Sequence, residues 1–411
     1  GPIDGIVQIT PVIIEQLLAL TGPLQIKEYN ETITSQNLEV KLHAYQQDQR
    51  LINLQVAKTG TDTHSTRKAF TNLVGSLLMD RIKHLSTTQM LAFSKTMLQD
   101  LQSRDLQIYL NNPIAEQWLS QNKDNGAMAK YTNGMDGFMV VQSNISISKA
   151  AQYVKSTFHD DVTLNADGSA THNLTITLNY QQTGPVYGFN TYADYVRIYA
   201  PANAHLNSAY GFNTGTTLCT PGKPTKKSGS GSGSGTSNSS GSYTDAGLVV
   251  VGCSQYYHTF TDTSARSCPD GNYQLGYDGM AARGWPVQDL GGPSSKNSDL
   301  PGYSMWAGLT LTPKNCTSTI TLSWNVPHMV QNVAGQSPYQ LTVGHQAGWP
   351  DQAQISIDAS ALKGVKSLSK EQVINADTIF SLAALPTSPA RQIPGSSSTP
   401  TFTRTTQPKK P

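Results

Sequence analysis

The chain has 411 residues, of which 14% are charged, against about 25% in a typical globular domain. A formal net charge of +2 excludes a strongly electrostatic partner as the default. The lysine pairs at 226–227 and 409–410 do not make the basic face that nucleic-acid binding requires. The 40 Ser and 43 Thr residues, together with 34 Gly, favour a β-rich extracytoplasmic protein. No stretch approaches the roughly 18 consecutive apolar residues of a membrane-spanning helix.

Residues 1–140 are predicted to be the C-terminal part of an α/β domain. A short apolar strand at 3–9 precedes Thr10 and Pro11, which supply an N-cap hydroxyl and a proline at the first helical position. The helix that follows ends at Gly22, because glycine readily adopts a left-handed cap. The clearest helix has apolar residues at three- and four-residue spacing, and these are Phe70, Leu73, Val74, Leu77, Leu78, Ile82 and Leu85.

Weaker signals complete this half of the chain. Thr34 is predicted to cap a further helix, and Ser86 with Gln89 forms the capping-box pattern that begins another. Residues 106–110 are predicted to form a strand, and 113–121 a short helix. Helices and short strands therefore alternate, as expected for an α/β arrangement.

From residue 141 onward the apolar period changes to two, so 141–360 is predicted to be an antiparallel β-sandwich. The turn sequence at 165–168 lies between two alternating segments, which is typical of a β-hairpin. A Gly/Ser insertion at 221–243 and a Pro/Ser/Thr-rich tail at 386–411 are predicted to be disordered. Residues 361–385 are predicted to be a short helical or linker segment.

The four cysteines all lie in the β-rich part, at Cys219, Cys253, Cys268 and Cys316. None belongs to a Cys-x-x-Cys pair, so two structural disulfides are favoured over zinc or redox chemistry. Three pairings are possible, and Cys219 with Cys253 is preferred because that bridge would close the base of the Gly/Ser insertion. The first residue is Gly rather than Met, so an upstream signal or membrane anchor is expected.

The opening segment, residues 2–24, reads PIDGIVQITPVIIEQLLALTGPL and resembles a bacterial family known as domain of unknown function 4012. Residues 66–70, 142–149 and 192–201 look like later landmarks of the same family, in the same order. The resemblance covers residues 1–357, and the earlier half of the family pattern has no counterpart here. It implies an α/β domain attached to a β-rich domain at the bacterial cell envelope.

Residues 1–85 more distantly resemble the catalytic domain of the LytR-CpsA-Psr proteins, which transfer lipid-linked glycopolymers onto peptidoglycan. That resemblance implies a pyrophosphate-lipid substrate and a magnesium ion, and otherwise no cofactor is expected. Those enzymes place an Arg-x-Arg, Asp, Arg pattern before the equivalent helix to grip phosphate oxygens. Here only Asp62 and Arg67 could occupy its last two positions, and the double-Arg signature is absent.

A few side chains near residue 65 could bind an anion or act as a base. Arg67 and Lys68, with Asp62, precede a helix and could meet an anion; the alternative is a solvated helix entry. His64 could act as a base, or could simply be exposed. The sequence contains no nucleophile elbow, phosphate loop, His-Glu-x-x-His motif or paired metal ligands, so no metal site is predicted.

Aromatic residues suggest a glycan-binding surface. Tyr192 and Tyr195 belong to a tyrosine-rich segment, and Trp285, Trp306 and Trp349 lie near Gly- and Pro-rich turns. Sugar rings stack on exposed aromatic faces; the alternative is that these side chains belong to the core and edges of the sheets.

Three functions follow as hypotheses. The first is an extracytoplasmic cell-envelope protein, anchored by a preceding segment, that handles or binds wall polysaccharide or peptidoglycan without catalysis. The second is a LytR-CpsA-Psr-type glycopolymer phosphotransferase acting through Asp62 and Arg67. The third is a structural spacer or adhesin.

Overall fold

The computed structural model describes residues 3–60, 68–131, 134–145, 148–187, 192–212, 220–221, 243–245, 248–250, 288–289, 300–312, 314–330 and 338–383. Most of the predicted Gly/Ser insertion and the whole predicted tail lie outside these residues, and so does the prediction that they are disordered. None of the helices that the structure describes is long and apolar enough to cross a bilayer.

The described helices all lie in the first third of the chain. They are α1 (Pro11–Thr21), α2 (Leu38–Gln47), α3 (Gln49–Thr59), α4 (Ala69–Lys83), α5 (Thr87–Gln102) and α6 (Pro113–Asn122). Four short strands accompany them, namely β1 (Gly5–Ile9), β2 (Leu24–Ile26), β3 (Glu31–Ile33) and β4 (Leu106–Leu110). The prediction that this part of the chain combines helices with short strands is therefore confirmed, although α2 to α5 follow one another without an intervening strand among the described residues.

The predictions of which residues cap the helices were correct at some helix ends and wrong at others. Gly22 ends α1 with φ 85°, and the Ser86 and Gln89 capping box is present at the start of α5. The hydroxyl of Thr10 does not cap α1, because it donates to the Asp105 carboxylate at 2.6 Å. Thr34 is not a cap either, since α2 begins only at Leu38.

The helical part has its own apolar core. One face of α4 is buried through Phe70, Val74 and Leu78, as the spacing predicted. Phe70 stacks on Tyr45 of α2 with ring centroids 3.8 Å apart. Strands β1 and β4 pair antiparallel beside this core, but β1 leaves most of its apolar side chains exposed.

The rest of the described chain is almost entirely strand. The strands are β5 (Asp136–Asn144), β6 (Val154–Leu164), β7 (Ala170–Tyr180), β8 (Tyr192–Pro201), β9 (His205–Tyr210), β10 (Thr220–Pro221), β11 (Tyr243–Asp245), β12 (Leu248–Val250), β13 (Gln288–Asp289), β14 (Tyr303–Thr312), β15 (Cys316–Val326), β16 (Gln340–Gly344), β17 (Asp351–Asp358), β18 (Leu368–Ile374) and β19 (Thr378–Ser381).

These strands form two large sheets. The seven-stranded sheet has the order β10-β15-β7-β6-β17-β18, with β9 also pairing with β15; the six-stranded sheet has the order β13-β14-β8-β5-β16-β19. Two pairings, β5 with β16 and β6 with β17, are parallel, so the purely antiparallel prediction was wrong. The segment 361–385, predicted as helical or linker, supplies β18 and β19 instead.

One hydrophobic core contains residues from both sheets. Phe138 and Ile198 come from the six-stranded sheet, and Phe158, Ile176 and Trp324 come from the seven-stranded sheet. Alternate residues of β7 and β15 are buried, as their period-two pattern predicted. Because burying one such side chain contributes about 1.5–3 kcal/mol, this core is the main stabilising element of the sheet region.

Arg104 joins the helical part to the sheets. Its guanidinium forms a two-point ion pair with Asp377 at 2.6 and 2.7 Å, and it also donates to the carbonyl oxygens of His345 and Ala127. The next residue, Asp105, accepts from the backbone N–H of Gly348 at 3.1 Å. The segment before β4 thus holds the loop between β16 and β17, and that loop forms the candidate site.

Candidate functional site

A cleft of about 710 Å³ opens where α2 approaches the two large sheets. Its size falls within the range of small-molecule sites, about 300–1,000 Å³. The lining includes Glu39, His43, Lys149, Gln152, Ser156, Trp349 and Asp351. We refer to it as the Asp351 cleft. Most of these side chains are polar, and Trp349 provides the large aromatic surface.

The loop that carries Trp349 is pinned at several points. The Gln346 side chain accepts from the backbone N–H of Gln142 at 2.7 Å and donates to the same residue's carbonyl oxygen at 2.9 Å. The backbone N–H of Trp349 donates to the backbone carbonyl oxygen of Gln346 at 3.1 Å. The half-buried Trp349 ring stacks on Tyr192, with centroids 6.3 Å apart. These contacts fix the indole at the wall of the cleft.

Asp351 is the most unusual group in the lining. It begins β17, is 1% exposed, and lies near a second buried carboxyl, Asp194 of β8. Burial raises the pKa of Asp351 to about 8; the Ser156 hydroxyl beside it acts in the opposite direction, and the Asp194 charge raises it further. A carboxyl in this state is mostly protonated at neutral pH and can donate a hydrogen bond.

Asp194 is fully buried behind Asp351. Burial raises the pKa of Asp194 to about 7, against the Ser143 N–H, the Tyr192 hydroxyl and the Arg197 charge, which all lower it. The Ser143 N–H donates to one Asp194 oxygen at 2.6 Å. Two carboxyls that share a buried region resist double ionisation. The Asp194–Asp351 pair therefore retains protons at pH values where exposed carboxyls have lost them.

Three buried polar atoms around the Asp351 cleft make no hydrogen bond of good geometry within the described residues, and they are Asp351 Oδ1, Ser156 Oγ and His43 Nδ1. Their polar neighbours belong to the same lining, since Ser156 interacts with the Asp351 carboxyl and Gln152 with His43. Burial and the nearby Lys149 charge lower the pKa of His43, while Gln152 opposes that shift, so the imidazole is neutral at physiological pH. Unsatisfied buried polar groups are costly, which suggests that a ligand satisfies them.

Serine, histidine and aspartate side chains all line this cleft, yet their arrangement differs from that of a nucleophilic triad. In a triad the histidine stands between the serine and the carboxylate. Here the neighbour of Asp351 is Ser156, and the neighbours of His43 are Gln152 and Lys149. The arrangement offers hydrogen-bond donors and acceptors rather than a proton relay to a nucleophile.

A second cleft, of about 490 Å³, adjoins the first. The two share Gly348, Trp349 and Pro350, so this turn separates them. Asp100 of α5 lines the second cleft and is 2% exposed. We call it the Asp100 cleft. Asp100 accepts from Gln16 at 2.9 Å through one oxygen, and the other oxygen has no partner among the described residues.

A separate charged cluster lies inside the sheets and lines neither cleft. His172 of β7 faces Asp160 at 2.8 Å through Nδ1 and Asp136 at 3.0 Å through Nε2. Tyr339 donates to Asp136 at 2.8 Å, and the His172 ring stacks on Trp324 with centroids 4.4 Å apart. We call these residues the His172 cluster. The side chains of His172, Asp136 and Asp160 are fully buried.

The His172 imidazole is held in its charged form. Burial alone would lower its pKa, but the charges and hydrogen bonds of Asp136 and Asp160 outweigh burial and raise the pKa of His172 to about 10. Because Asp136 belongs to the six-stranded sheet and His172 to the seven-stranded sheet, the cluster joins the two sheets. Its position indicates a structural role.

The predicted site residues have mixed outcomes. Asp62, Arg67 and His64 lie outside the described residues, so the anion-site and transferase predictions remain untested. Lys68 is exposed at the N-cap of α4. Tyr192 is fully buried, which rules it out as an exposed sugar platform, and Tyr195 is half-buried.

Of the four cysteines, the described residues include Cys316. Cys316 is buried at the start of β15. Cys219, Cys253 and Cys268 lie outside the described residues, so the preferred pairing stays a prediction. Within the described part of the chain, His, Cys, Asp and Glu side chains do not gather in groups that could hold a metal ion.

The residues that form the Asp351 cleft were mostly missed, although one signal was present. Asp194 alternates with Tyr192, Val196 and Ile198 along β8 and therefore falls on the apolar face of that strand. A charged residue on an apolar face marks a special site. Asp351 carried the same signal, because it alternates with Ala353, Ile355 and Ile357 on the buried face of β17. Ser156 and His43 carried no such signal, because they meet Asp351 only through contacts between distant segments.

Comparisons with known proteins add little. A scan against protein-family models finds no match, and a search of curated proteins finds none either. A solved structure from Parabacteroides distasonis, assigned provisionally as a protease, is similar over 59% of this chain with 8% identity and a TM-score of 0.19. This chain spans 38% of that structure. A TM-score this low supports no statement about fold or function.

Proposed function

We propose that this protein is an extracytoplasmic bacterial cell-envelope protein that binds wall glycopolymer in the Asp351 cleft without catalysing its turnover. The observation that carries the proposal is the convergence of three buried polar atoms without well-formed hydrogen bonds, on Asp351, Ser156 and His43, at a cleft that also contains an indole ring. Sugars offer many hydroxyl groups and apolar ring faces, so they suit such a lining.

The charges of the lining agree with this proposal. Lys149 and Lys155 oppose Glu39, while Asp351 is mostly protonated and His43 is neutral at physiological pH. The lining is therefore close to neutral with a small positive excess. It suits a hydroxyl-rich ligand that is uncharged or carries a few anionic groups.

Two further features belong to the proposal. We interpret the two large sheets as a β-sandwich, because inward side chains from both contribute to one core. The proposal includes structural disulfides among the four cysteines, which would require an oxidising, extracytoplasmic compartment. The family resemblance in the sequence and the abundance of Ser and Thr point the same way.

The test is calorimetric titration of the protein with purified wall polysaccharide and with solubilised peptidoglycan fragments. Trp349→Ala should weaken binding by about tenfold or more, because loss of a stacked aromatic removes on the order of 1–3 kcal/mol. Trp118→Ala is the matched control, since Trp118 is 61% exposed on α6 and lines neither cleft.

Trp349 also packs against Tyr192, so a loss of binding could come from a distorted loop. Lys149→Gln keeps the fold and changes only the lining, and it should weaken binding to anionic fractions more than to neutral ones. No binding by the native protein, or equal affinity in the native protein and both cleft variants, would refute the proposal.

A further inference from the structure

We infer that the Asp100 cleft is a second binding subsite that continues the Asp351 cleft past Trp349, so that the protein takes a linear, multi-unit glycan segment rather than one sugar unit. This inference rests on the proposed function and extends it. Its basis is the adjacency of the two clefts and the chemistry of the second lining.

The two clefts lie on opposite sides of one rigid turn. Gly348, Trp349 and Pro350 line both, and the Gly348 N–H is tied to Asp105 of the helical part. A ligand that fills one cleft and is longer than it must cross this turn to enter the other. Together the two clefts of about 710 and 490 Å³ offer room on both sides of the shared residues, which suits a ligand of several sugar units.

The Asp100 cleft has a built polar lining. Asp100 is almost completely buried, yet its Oδ2 has no partner among the described residues. Gln16 fixes the carboxyl through Oδ1, so Oδ2 is left in a defined position. An unpartnered, oriented carboxyl oxygen in a cleft is a ready acceptor for a ligand hydroxyl.

The second lining also predicts which part of a ligand it accepts. It contains carboxyl groups from Asp100 and Asp105, amides from Gln99, Gln102 and Asn375, and no Lys or Arg. Such a lining disfavours phosphate or carboxylate groups and favours neutral sugar hydroxyls. The lysines of the Asp351 cleft have no counterpart here, so anionic groups of the ligand should lie on the Asp351 side of Trp349.

The experiment measures affinity against ligand length. Wall polysaccharide is purified, partly hydrolysed and separated into a disaccharide fraction and a long-chain fraction, and each is titrated into the full chain. The native protein should bind the long-chain fraction at least about tenfold more tightly per chain, because a second subsite adds contacts at little further entropic cost.

Asp100→Asn should abolish most of this length advantage and leave disaccharide affinity unchanged. Gln102→Ala, at an exposed position of the same lining, should reduce the advantage without any effect on folding. Asp80→Asn is the control, since Asp80 is exposed on α4 and lines neither cleft.

Equal affinity for both fractions, or an equal loss for both fractions in Asp100→Asn, would overturn the second subsite and leave the Asp351 cleft standing. If neither fraction binds the native protein, the proposed function is refuted, and the second subsite with it.

Discussion

The sheet region contains two groups of buried carboxyls, and the cost of removing these carboxyls from water is offset in a different way in each. In the His172 cluster an imidazolium lies between Asp136 and Asp160, so each carboxylate has an opposite charge at hydrogen-bond distance. For Asp194 and Asp351, by contrast, burial outweighs the nearby donors and raises both pKa values, to about 7 and about 8, so protonation lowers the cost of burying each carboxyl. The first cluster is closed within the sheets, and the second borders a cleft.

This contrast distinguishes buried carboxyls that stabilise the fold from a buried carboxyl that is available to a ligand. Removing a charge from water is costly, so a buried carboxylate that serves only the fold requires a partner with good geometry. Asp160 and Asp351 each keep one buried oxygen without a hydrogen-bond partner among the described residues, but Asp160 has the His172 ring at 2.8 Å, whereas Asp351 borders a cleft. The desolvation cost at Asp351 therefore falls on a group that lines a binding cleft. Ligand binding would offset that cost.

The largest expected effect comes from breaking the closed cluster. His172→Leu leaves Asp136 and Asp160 buried without their shared cation, which should reduce the free energy of unfolding by about 3–5 kcal/mol. Urea denaturation followed by tryptophan fluorescence measures the change. Glycan affinity of the remaining folded protein should stay the same, because His172 lines neither cleft.

The matched control is His159→Leu on the neighbouring strand. His159 pairs with Asp161 at 3.0 Å, but both side chains are largely exposed, so the loss should stay below about 1 kcal/mol. If His172→Leu and His159→Leu cost the same, the structural role of the His172 cluster is wrong.

A pH-dependent effect should come from the Asp194–Asp351 pair. An ordinary Asp has a pKa near 3.9, so the unfolded chain loses these protons well before the folded one. The folded state binds more protons between about pH 4 and pH 8, and stability therefore falls as pH rises through this window. His172 extends the fall from about pH 6.5 to about pH 10, for the same reason.

Asp351→Asn should remove part of the decrease in folding stability between about pH 4 and pH 8. At pH 8.5 the variant should be more stable than the native protein by several kcal/mol, because a rise in pKa from about 4 to about 8 corresponds to about four pKa units. Below about pH 4 the two should be nearly equal, because the carboxyl is then protonated in both the folded and the unfolded states. Asp161→Asn is the control and should leave the pH profile unchanged, because its side chain is exposed. A native-like profile for Asp351→Asn would mean that Asp351 is ionised throughout.

Much of the local structure could be predicted from the sequence. The apolar spacing that begins at Phe70 predicted α4 and its buried face, and the alternation around Trp324 predicted β15 and its burial. These patterns are read within one element and need no knowledge of its neighbours. The strand β18 was missed because most of its side chains are exposed, so its apolar period is weak.

The parallel pairings could not be predicted in the same way. Strand β17 lies beside β6, almost two hundred positions earlier in the chain, and nothing in either segment specifies the partner. The Asp351 cleft depends on this pairing, because it places Asp351 next to Ser156. The sequence analysis identified Trp349 as a candidate sugar platform but had no means of placing it at a cleft.

Part of the His172 cluster could have been predicted from the sequence. Asp160 lies between Phe158 and Val162 on the inward face of β6, and His172 lies on the inward face of β7. Charged residues on inward faces of two paired strands predict a buried ion pair. The third member, Asp136, comes from the other sheet and could be found only in the structure.

The most direct test of the account is hydrogen–deuterium exchange of the full chain with and without purified wall polysaccharide. We predict slower exchange at 39–43, 148–157 and 348–352, which line the Asp351 cleft, and no change around His172 in β7. Slower exchange confined to β7 or to surfaces remote from the cleft, or no change at saturating polysaccharide, would contradict the assignment of the Asp351 cleft as the functional site.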